Sequence, residues 1–173
     1  MVKIAVLFAD GTEEIEGISP VDVLRRAGAE CDIVSVGGEY VTGSHGITIK
    51  ADKLIDKIDI CSYDAVVIPG GMPGATNIAK SEKAIELIKH LIKKGKLVCA
   101  ICASPAVVLA QNDLLLATSA TCFHADCFTS QLGNNYTGKE VEVCDNFITA
   151  DGPKSALKFA IAIAKYLELD LNM

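Results

Sequence analysis

The feature that most constrains the fold is a regular alternation of short apolar runs with segments of helical spacing. Lys3–Phe8, Ala65–Ile68 and Leu97–Ala100 are nearly continuous apolar runs, which is typical of strands buried on both faces of a sheet. Glu82–Lys94 instead places its apolar residues along one helix face, and Gly95 follows it. Strands that alternate with helices predict an α/β fold in which helices cover both faces of a mostly parallel sheet.

The remaining elements are predicted to be shorter, and all of them together form a single domain over the 173 residues of the chain (1–173). Pro20 is expected in or near the first turns of a helix that ends at Gly28, because proline is favoured where helices begin. The other predicted elements are a strand at Cys31–Val36, a hairpin of Tyr40–Thr42 and Ile47–Lys50, short strands at Ser119–Cys122, Val141–Cys144 and Phe147–Thr149, and helices at Ala106–Gln111 and Ser155–Leu167.

Charge and apolar length limit the partners that the sequence predicts. Lys and Arg number 16 and Asp and Glu number 22, which gives a net charge of −6. No basic block stands out, so we expect no nucleic-acid partner. No apolar run reaches the roughly 18 residues that cross a bilayer, so we expect no membrane partner.

The first strand and the cysteines indicate the compartment. Acidic residues follow Lys3–Phe8 at once, beginning with Asp10, which is unlike a secretory signal. The seven cysteines are an odd number, which argues against a closed disulfide framework. We therefore expect a soluble cytoplasmic protein whose cysteines are mostly buried free thiols.

Three chemically unusual loops follow predicted strands. They are Asp10–Glu16, with its three glutamates, Pro69–Ala75, which is rich in glycine, and Cys99–Pro105. The carboxyl ends of parallel strands meet at one edge of the sheet, which is where ligands bind in such folds. The sequence therefore predicts that these loops together form a site.

Cys102 is the strongest candidate for a reactive residue. It follows a predicted strand by two residues, and Pro105 then begins a helix, which is the strand–turn–helix layout of a nucleophile elbow. A thiol at a helix start lies among unpaired N–H groups, which should lower its pKa. The alternative is that Cys102 is one more buried small side chain.

Glu16 and the glycine pair Gly70-Gly71 are the candidates for supporting roles. Glu16 lies among apolar neighbours, so burial should raise the pKa of its carboxyl group and allow general acid–base chemistry. Glu13 and Glu14 are expected to reach water as an acidic first helical turn. Glycines allow a backbone N–H to approach and hold an oxyanion, although a tight turn explains them equally well.

Several motifs in a fixed order extend over the whole chain. They are Asp10-Gly11-Thr12-Glu13-Glu14-Ile15-Glu16, Pro20-Val21-Asp22-Val23-Leu24-Arg25-Arg26-Ala27-Gly28, Val67-Ile68-Pro69-Gly70-Gly71 with Gly74-Ala75, Ala100-Ile101-Cys102-Ala103-Ser104-Pro105, and Thr149-Ala150-Asp151-Gly152-Pro153. With these motifs the chain resembles the ThiJ/PfpI superfamily, in the branch of the parkinsonism-associated protein deglycase.

The resemblance implies a flavodoxin-like three-layer sandwich that forms a homodimer. It implies a reactive cysteine at Cys102 beside a protonated Glu16, with an oxyanion pocket formed by the backbone N–H groups of Gly71 and Ala103. The activities that it implies are glyoxalase, deglycase, redox sensing and chaperone-like holding.

The chain departs from the pattern of this superfamily at several positions. Ser104 and Lys154 replace glycines. By spacing, Phe123 takes the position at which some members carry a histidine, and His124 lies one residue later, which turns a strand side chain to the other face. Ala103 stands where the protease-like branch has histidine, which argues against peptidase chemistry. His45 falls where related dimers can offer an arginine across the interface; a solvated hairpin tip is its alternative.

The cysteines allow two other interpretations. Cys99 and Cys102 have C-x-x-C spacing, which can mark a dithiol redox site, but Cys99 belongs to the predicted strand. A zinc site formed from among Cys99, Cys102, Cys122, Cys127 and His124 would lack the usual paired spacing, so we expect no metal.

Two functional hypotheses remain, and both use Cys102 and Glu16. One is a cofactor-independent enzyme that acts on reactive dicarbonyls such as methylglyoxal or on the glycated proteins that they form. The other is a non-catalytic sensor and chaperone in which Cys102 oxidises to a sulfinate that Glu16 stabilises.

Overall fold

The computed structural model describes residues 1–115 and 118–172, and a mostly parallel seven-stranded sheet forms its centre. The strands are β1 (Lys3–Phe8), β2 (Glu30–Ser35), β3 (Tyr40–Thr42), β4 (Thr48–Lys50), β5 (Lys53–Leu54), β6 (Ala65–Ile68), β7 (Leu97–Ile101), β8 (Val141–Cys144) and β9 (Phe147–Ala150). The sheet has the order β5-β2-β1-β6-β7-β9-β8. Only β8 runs antiparallel to its neighbour, β9, while β3 and β4 form a separate hairpin.

Helical elements cover both faces of this sheet. The α-helices are α1 (Glu14–Arg26), α2 (Gly74–Ala79), α3 (Glu82–Lys93), α4 (Asp126–Leu132) and α5 (Ala156–Tyr166). A π-helical segment (Pro105–Leu109) follows β7 and continues into a 3₁₀ turn (Ala110–Asn112). Further 3₁₀ turns lie at Ile55–Lys57, Ile60–Ser62, Gly133–Asn135 and Pro153–Ser155. No helix in the described ranges is both long and apolar enough to cross a membrane.

Alternate residues of β1 enter two different apolar layers. Ile4, Val6 and Phe8 pack with residues of α1 and α5 on one face, whereas Ala5 and Leu7 pack with residues of α3 and the π-helical segment on the other. A strand that must be apolar on both sides reads as a continuous apolar run. The predicted three-layer α/β sandwich is confirmed.

Several local predictions are wrong, for physical reasons. Helix α1 begins at Glu14, so Pro20 lies in its interior, where the helix loses the N–H that would bond the carbonyl of Glu16. Tertiary packing of the α1 face outweighs that loss. Ser119–Cys122 is not a strand: in the described part of the chain it has only an isolated bridge from Ala120 to Tyr136.

Two short helices, α2 and α4, were not predicted. Helix α2 begins within the glycine-rich segment that was read as a loop, and α4 follows directly on His124 and Ala125. Both have fewer than eight residues, too few to show a helical period of apolar residues.

Candidate active site

The three unusual loops meet at the carboxyl edge of the sheet, as their positions after β1, β6 and β7 require. The Glu13 N–H donates to the carbonyl of Gly70 at 3.0 Å. The Gly70 N–H donates to Glu16 Oε2 at 2.8 Å, and the Ser104 hydroxyl donates to the carbonyl of Pro69 at 2.6 Å. The loop after β6 is therefore bonded on one side to the acidic loop and on the other to the cysteine loop.

Cys102 adopts a backbone conformation that is unusual for a residue with a side chain. Its φ is 63°, in the left-handed region, and the π-helical segment begins three residues later. Its N–H donates to the Ala150 carbonyl at 2.9 Å, and its carbonyl accepts from the Phe123 N–H at 2.8 Å. These two bonds hold the turn that presents the thiol at the end of β7.

The strain at Cys102 gives a stability prediction. Cys102→Gly should be more stable than Cys102→Ala by about 1 kcal/mol, because only glycine enters the left-handed region without steric cost. Urea unfolding of the two variants measures the difference. At the exposed helical position Lys89 the same pair should show the reverse order, since alanine is the better helix former. Equal stabilities of the two Cys102 variants would show that the turn is unstrained.

The sulfur of Cys102 has a mixed environment. The backbone N–H groups of Gly71 and Ala103 donate to it and favour the thiolate, but burial and the neighbouring Glu16 carboxylate are stronger and raise the pKa of the thiol. The expectation that the helix start lowers this pKa is therefore wrong. The turn buries the Cys102 thiol beside the Glu16 carboxyl group. The two backbone N–H groups only partly offset the effects of burial and of the Glu16 charge on the pKa of the thiol.

Glu16 is completely buried at the first turn of α1. Burial raises the pKa of its carboxyl group to about 7, and the charges of Glu13 and Asp151 act in the same direction, against the Gly70 N–H and the thiol of Cys102. Two adjacent buried groups that both ionise would place like charges side by side. Near neutral pH the pair of Glu16 and Cys102 therefore holds one proton, and a thiolate exists when Glu16 carries it.

Gly70 is required where these two side chains meet. A Cβ at Gly70 would lie 2.6 Å from the Cys102 Cβ and 2.7 Å from Glu16 Oε2. Gly70→Ala should destabilise the fold by about 2 kcal/mol, because the added methyl group can be accommodated only if the Cys102 and Glu16 side chains move apart. Thermal unfolding measures the effect. Gly37→Ala is the control, because a Cβ at Gly37 would lie 3.9 Å from its nearest neighbouring atom. Equal melting temperatures of the two variants would contradict the requirement for glycine at position 70.

Contrary to the prediction from the sequence, Glu14 does not reach water. It is 6% exposed and lies under the hairpin of β3 and β4, where it accepts N–H bonds from His45 at 2.8 Å and Ile47 at 3.3 Å. Burial acts to raise the pKa of this carboxyl group, but the backbone donors and the His45 ring outweigh it and lower the pKa to about 2. Glu14 therefore fastens the hairpin to α1.

His45 lies at the tip of this hairpin with its side chain 70% exposed. Its Nδ1 is 3.2 Å from Glu14 Oε2 and 3.3 Å from Glu13 Oε2, and the bond to Glu14 raises the pKa of the imidazole. Within one chain His45 thus pairs with the acidic loop. Its predicted reach to the site of a partner subunit stays a prediction.

His124 points to a different neighbour. Its Nδ1 lies 2.9 Å from the hydroxyl of Tyr136, and the two rings stack. The residue that bonds the Cys102 carbonyl is Phe123, through its backbone N–H. The one-residue offset seen in the sequence thus leaves Phe123 beside the elbow and pairs His124 with Tyr136.

The structure gives the surroundings of the cysteines. All seven cysteines are free, and Cys99 is completely buried in β7, where burial raises its pKa. Among the described residues, one cluster of three potential metal ligands has its ligand atoms close together: Glu13, Glu14 and His45. It contains no cysteine, and the dithiol role of Cys99 and Cys102 stays an alternative.

The contact from Ser104 to Pro69 was not anticipated from the sequence. The only signal was that serine replaces a glycine of the superfamily pattern directly after the Cys-Ala pair. A hydroxyl at that position can reach a carbonyl 35 residues away, but only the fold brings the two loops together.

Comparison with known proteins gives the family and supports the fold. A profile described as the DJ-1/PfpI family matches residues 2–166. The chain belongs to this family. The solved structure of oxidized DJ-1 from Toxoplasma gondii is similar to this chain, with a TM-score of 0.93 and 41% sequence identity, over 96% of this chain and 91% of that one. The flavodoxin-like architecture is thereby confirmed.

Curated relatives in the family carry several names. Protein DJ-1 homolog B of Arabidopsis thaliana is 38% identical over 164 residues, which are 94% of this chain and 37% of that protein. This chain therefore spans well under half the length of that relative. The Caenorhabditis elegans protein named glutathione-independent glyoxalase DJR-1.2 is 34% identical, over 94% of this chain and 87% of that one. The Thermococcus kodakarensis protein named deglycase TK1284 is 31% identical, over 88% and 91%.

Proposed function

We propose that this chain is a cofactor-independent glyoxalase or deglycase in which Cys102 is the nucleophile and Glu16 the general acid and base. The observation that carries the proposal is the completely buried Glu16, with a carboxyl pKa of about 7, in contact with the thiol on the strained elbow. A general acid and base is most effective when its pKa lies near the working pH. Names of relatives as a glyoxalase and a deglycase support the same chemistry.

The first step is the addition of the Cys102 thiolate to the aldehyde carbon of methylglyoxal, which gives a hemithioacetal. The backbone N–H groups of Gly71 and Ala103, which donate to the sulfur at rest, are placed to stabilise the oxyanion. The protonated Glu16 gives its proton to that oxygen and becomes a carboxylate.

In the next steps the Glu16 carboxylate removes the hydrogen from the former aldehyde carbon and returns a proton to the neighbouring carbon, while the hydroxyl proton on the former aldehyde oxygen passes to the oxygen of that neighbouring carbon. The product is a thioester of lactate on Cys102. Water hydrolyses it, so methylglyoxal and one water become lactate, and the thiol is restored. In a deglycase the same attack falls on the adduct of the dicarbonyl with a protein amine or thiol, and that group leaves.

The test is lactate formation from methylglyoxal by the purified chain in the absence of glutathione. We expect turnover that is lost after peroxide treatment, because an oxidised Cys102 is no longer a nucleophile. A matched assay with a lysine side chain modified by methylglyoxal distinguishes a deglycase from a glyoxalase. Absence of lactate from both substrates would reject the enzyme proposal.

The pair of Glu16 and Cys102 predicts a pH dependence. Below the Glu16 pKa of about 7 both groups are protonated, and no thiolate forms. As the pH rises through that value the pair loses one proton, and the thiolate forms when the remaining proton is on Glu16. The rate of Cys102 alkylation by iodoacetamide should therefore rise through about pH 7, with exposed Cys61 as the reference. A rise that coincides with that of Cys61 would contradict the coupling.

Redox sensing is the second candidate function, and the same pair favours it. A thiolate at Cys102 reacts with two molecules of peroxide to give a sulfinate and two waters, and a protonated Glu16 can donate to the product oxygen. Limiting peroxide should add two oxygen atoms to the Cys102 peptide first, as mass spectrometry can show. Loss of two hydrogens in a Cys99–Cys102 disulfide would favour the dithiol alternative.

We further propose that the single domain works as a homodimer in the cytoplasm. Ile15 and Ile18 of α1 are 53% and 39% exposed, and they flank the turn that carries Glu16. Sedimentation of the wild type tests the assembly. His45→Ala and dilution to monomer should both slow Cys102 alkylation if His45 acts across the interface, whereas His90→Ala should not. Equal rates in all samples would place the whole site within one chain.

A further inference from the structure

Both polar edges of the peptide group between Pro69 and Gly70 are used by the site. Its carbonyl oxygen, on Pro69, accepts the Ser104 hydroxyl at 2.6 Å. Its N–H, on Gly70, donates to Glu16 Oε2 at 2.8 Å. The carbonyl and N–H of a trans peptide point in opposite directions, so Ser104 and Glu16 lie on opposite sides of one rigid planar group.

All parts of this chain of bonds are buried. Ser104 and Glu16 are both 0% exposed, and Pro69 and Gly70 are buried between them. Water therefore does not compete for either bond, and hydrogen bonds in such surroundings are stronger and polarise one another.

The next peptide group of the same loop has an equivalent arrangement. The Gly70 carbonyl accepts the Glu13 N–H at 3.0 Å, and the Gly71 N–H donates to the sulfur of Cys102. Two successive peptide groups thus position the acid and the nucleophile. The second is held by a backbone donor, whereas the first depends on one side chain, that of Ser104.

We propose that Ser104 is a positioning residue that orients Glu16 through the Pro69–Gly70 peptide group. Its hydroxyl fixes the plane of that peptide and polarises it, so that the Gly70 N–H becomes a better donor to the carboxylate. The role deepens the proposed function, since it assigns control of the general base to a residue that does not touch the substrate.

The proposal predicts a change in Glu16 itself when the hydroxyl is removed. Ser104→Ala leaves the Pro69 carbonyl without this donor, so the Gly70 N–H stabilises the carboxylate less. The titration midpoint of Glu16 should rise by roughly 0.5 pH unit, which corresponds to a loss of about a third of a charge-assisted hydrogen bond.

The experiment is a ¹³C NMR titration of the glutamate carboxyl carbons, with Glu16→Gln to assign the Glu16 signal. It needs no substrate, so its result stands whether or not the chain turns over dicarbonyls. Ser104→Thr retains a hydroxyl and should keep the wild-type midpoint. Ser62→Ala removes another hydroxyl that donates to a backbone carbonyl, that of Asp59, on an exposed turn, and should also leave the midpoint unchanged.

A raised midpoint in Ser104→Ala, with the wild-type value in Ser104→Thr and Ser62→Ala, supports the proposal. An unchanged or lowered midpoint in a folded Ser104→Ala variant overturns it. Ser104→Gly, which restores the superfamily residue, provides the same comparison if the alanine variant does not fold. Where turnover is measurable, Ser104→Ala should lower kcat and leave KM unchanged, and the reverse pattern would also overturn the proposal.

Discussion

Substitution of Cys102 by serine is expected to lower methylglyoxal turnover by at least about 1,000-fold. The serine hydroxyl occupies the same elbow and meets the same N–H groups of Gly71 and Ala103, but it does not ionise in this pH range and is a far weaker nucleophile. The left-handed turn remains occupied by a residue of similar size, so the fold should be retained. Lactate production under single-turnover conditions, with circular dichroism of the variant, measures both points.

Cys144→Ser is the matched control for this substitution. Cys144 is also a free, partly exposed thiol, but it lies on β8 at the edge of the sheet. We expect wild-type turnover from this variant. Turnover that survives Cys102→Ser, or that is lost in Cys144→Ser, would move the nucleophile away from the elbow.

Substitution of Glu16 by glutamine should lower dicarbonyl turnover by about 100-fold to 10,000-fold, the usual contribution of a general acid and base. Glutamine can still accept the bond from the Gly70 N–H and donate towards the sulfur, but it cannot take or return a proton. Cys102 should remain open to alkylation at alkaline pH, because the variant has no carboxylate to oppose the thiolate. Loss of turnover together with loss of alkylation would show a damaged site rather than a missing base.

The same variant should change the pH dependence of stability. The carboxyl group has a pKa of about 7 in the folded chain, against an ordinary value of 4.5, so the folded state binds more protons between these values. The stability that depends on this proton is fully present below the unfolded pKa and is lost as the pH rises through about 7. Glu16→Gln does not titrate. Between pH 4.5 and about pH 7, the free energy of unfolding of Glu16→Gln should therefore rise relative to that of the wild type, by at most about 3 kcal/mol. Urea unfolding at pH 5 and pH 8 measures the change, and a constant difference would contradict the raised pKa.

The layers of the fold could be predicted because they depend on local patterns. Residues 4–8 of β1 and Ala65–Ile68 are apolar throughout, because both faces of each strand are covered. The apolar stripe of α3 follows from its contact with one face of the sheet. The pattern failed where local signals were short or were overruled. Ser119–Cys122 has small side chains and one β-branched residue and was predicted as a strand, but in the described structure it forms only the isolated bridge from Ala120 to Tyr136.

The candidate site, too, could be predicted only in part from the sequence. The positions of Cys102 after β7 and of Glu16 after β1 already placed both at one edge of a parallel sheet, because strand direction alone determines where such loops meet. Glu14 and Glu16 were harder to tell apart. Both proved to be buried, and they titrate in opposite directions because Glu14 meets several backbone donors under the β3–β4 hairpin, whereas Glu16 meets one such donor and a thiol.

Spacing and residue type along short stretches of chain were thus enough to predict the sandwich, the strand–turn–helix setting of Cys102 and the nearness of an acidic loop. The direction of the pKa shift of Cys102 and the hydrogen bond from Ser104 to Pro69 could be learned only from the folded structure. Both depend on groups that are distant in sequence and adjacent in space. Burial, like charge and hydrogen bonding act over a few ångströms, and the distances that set them are fixed only when the loops after β1, β6 and β7 pack together.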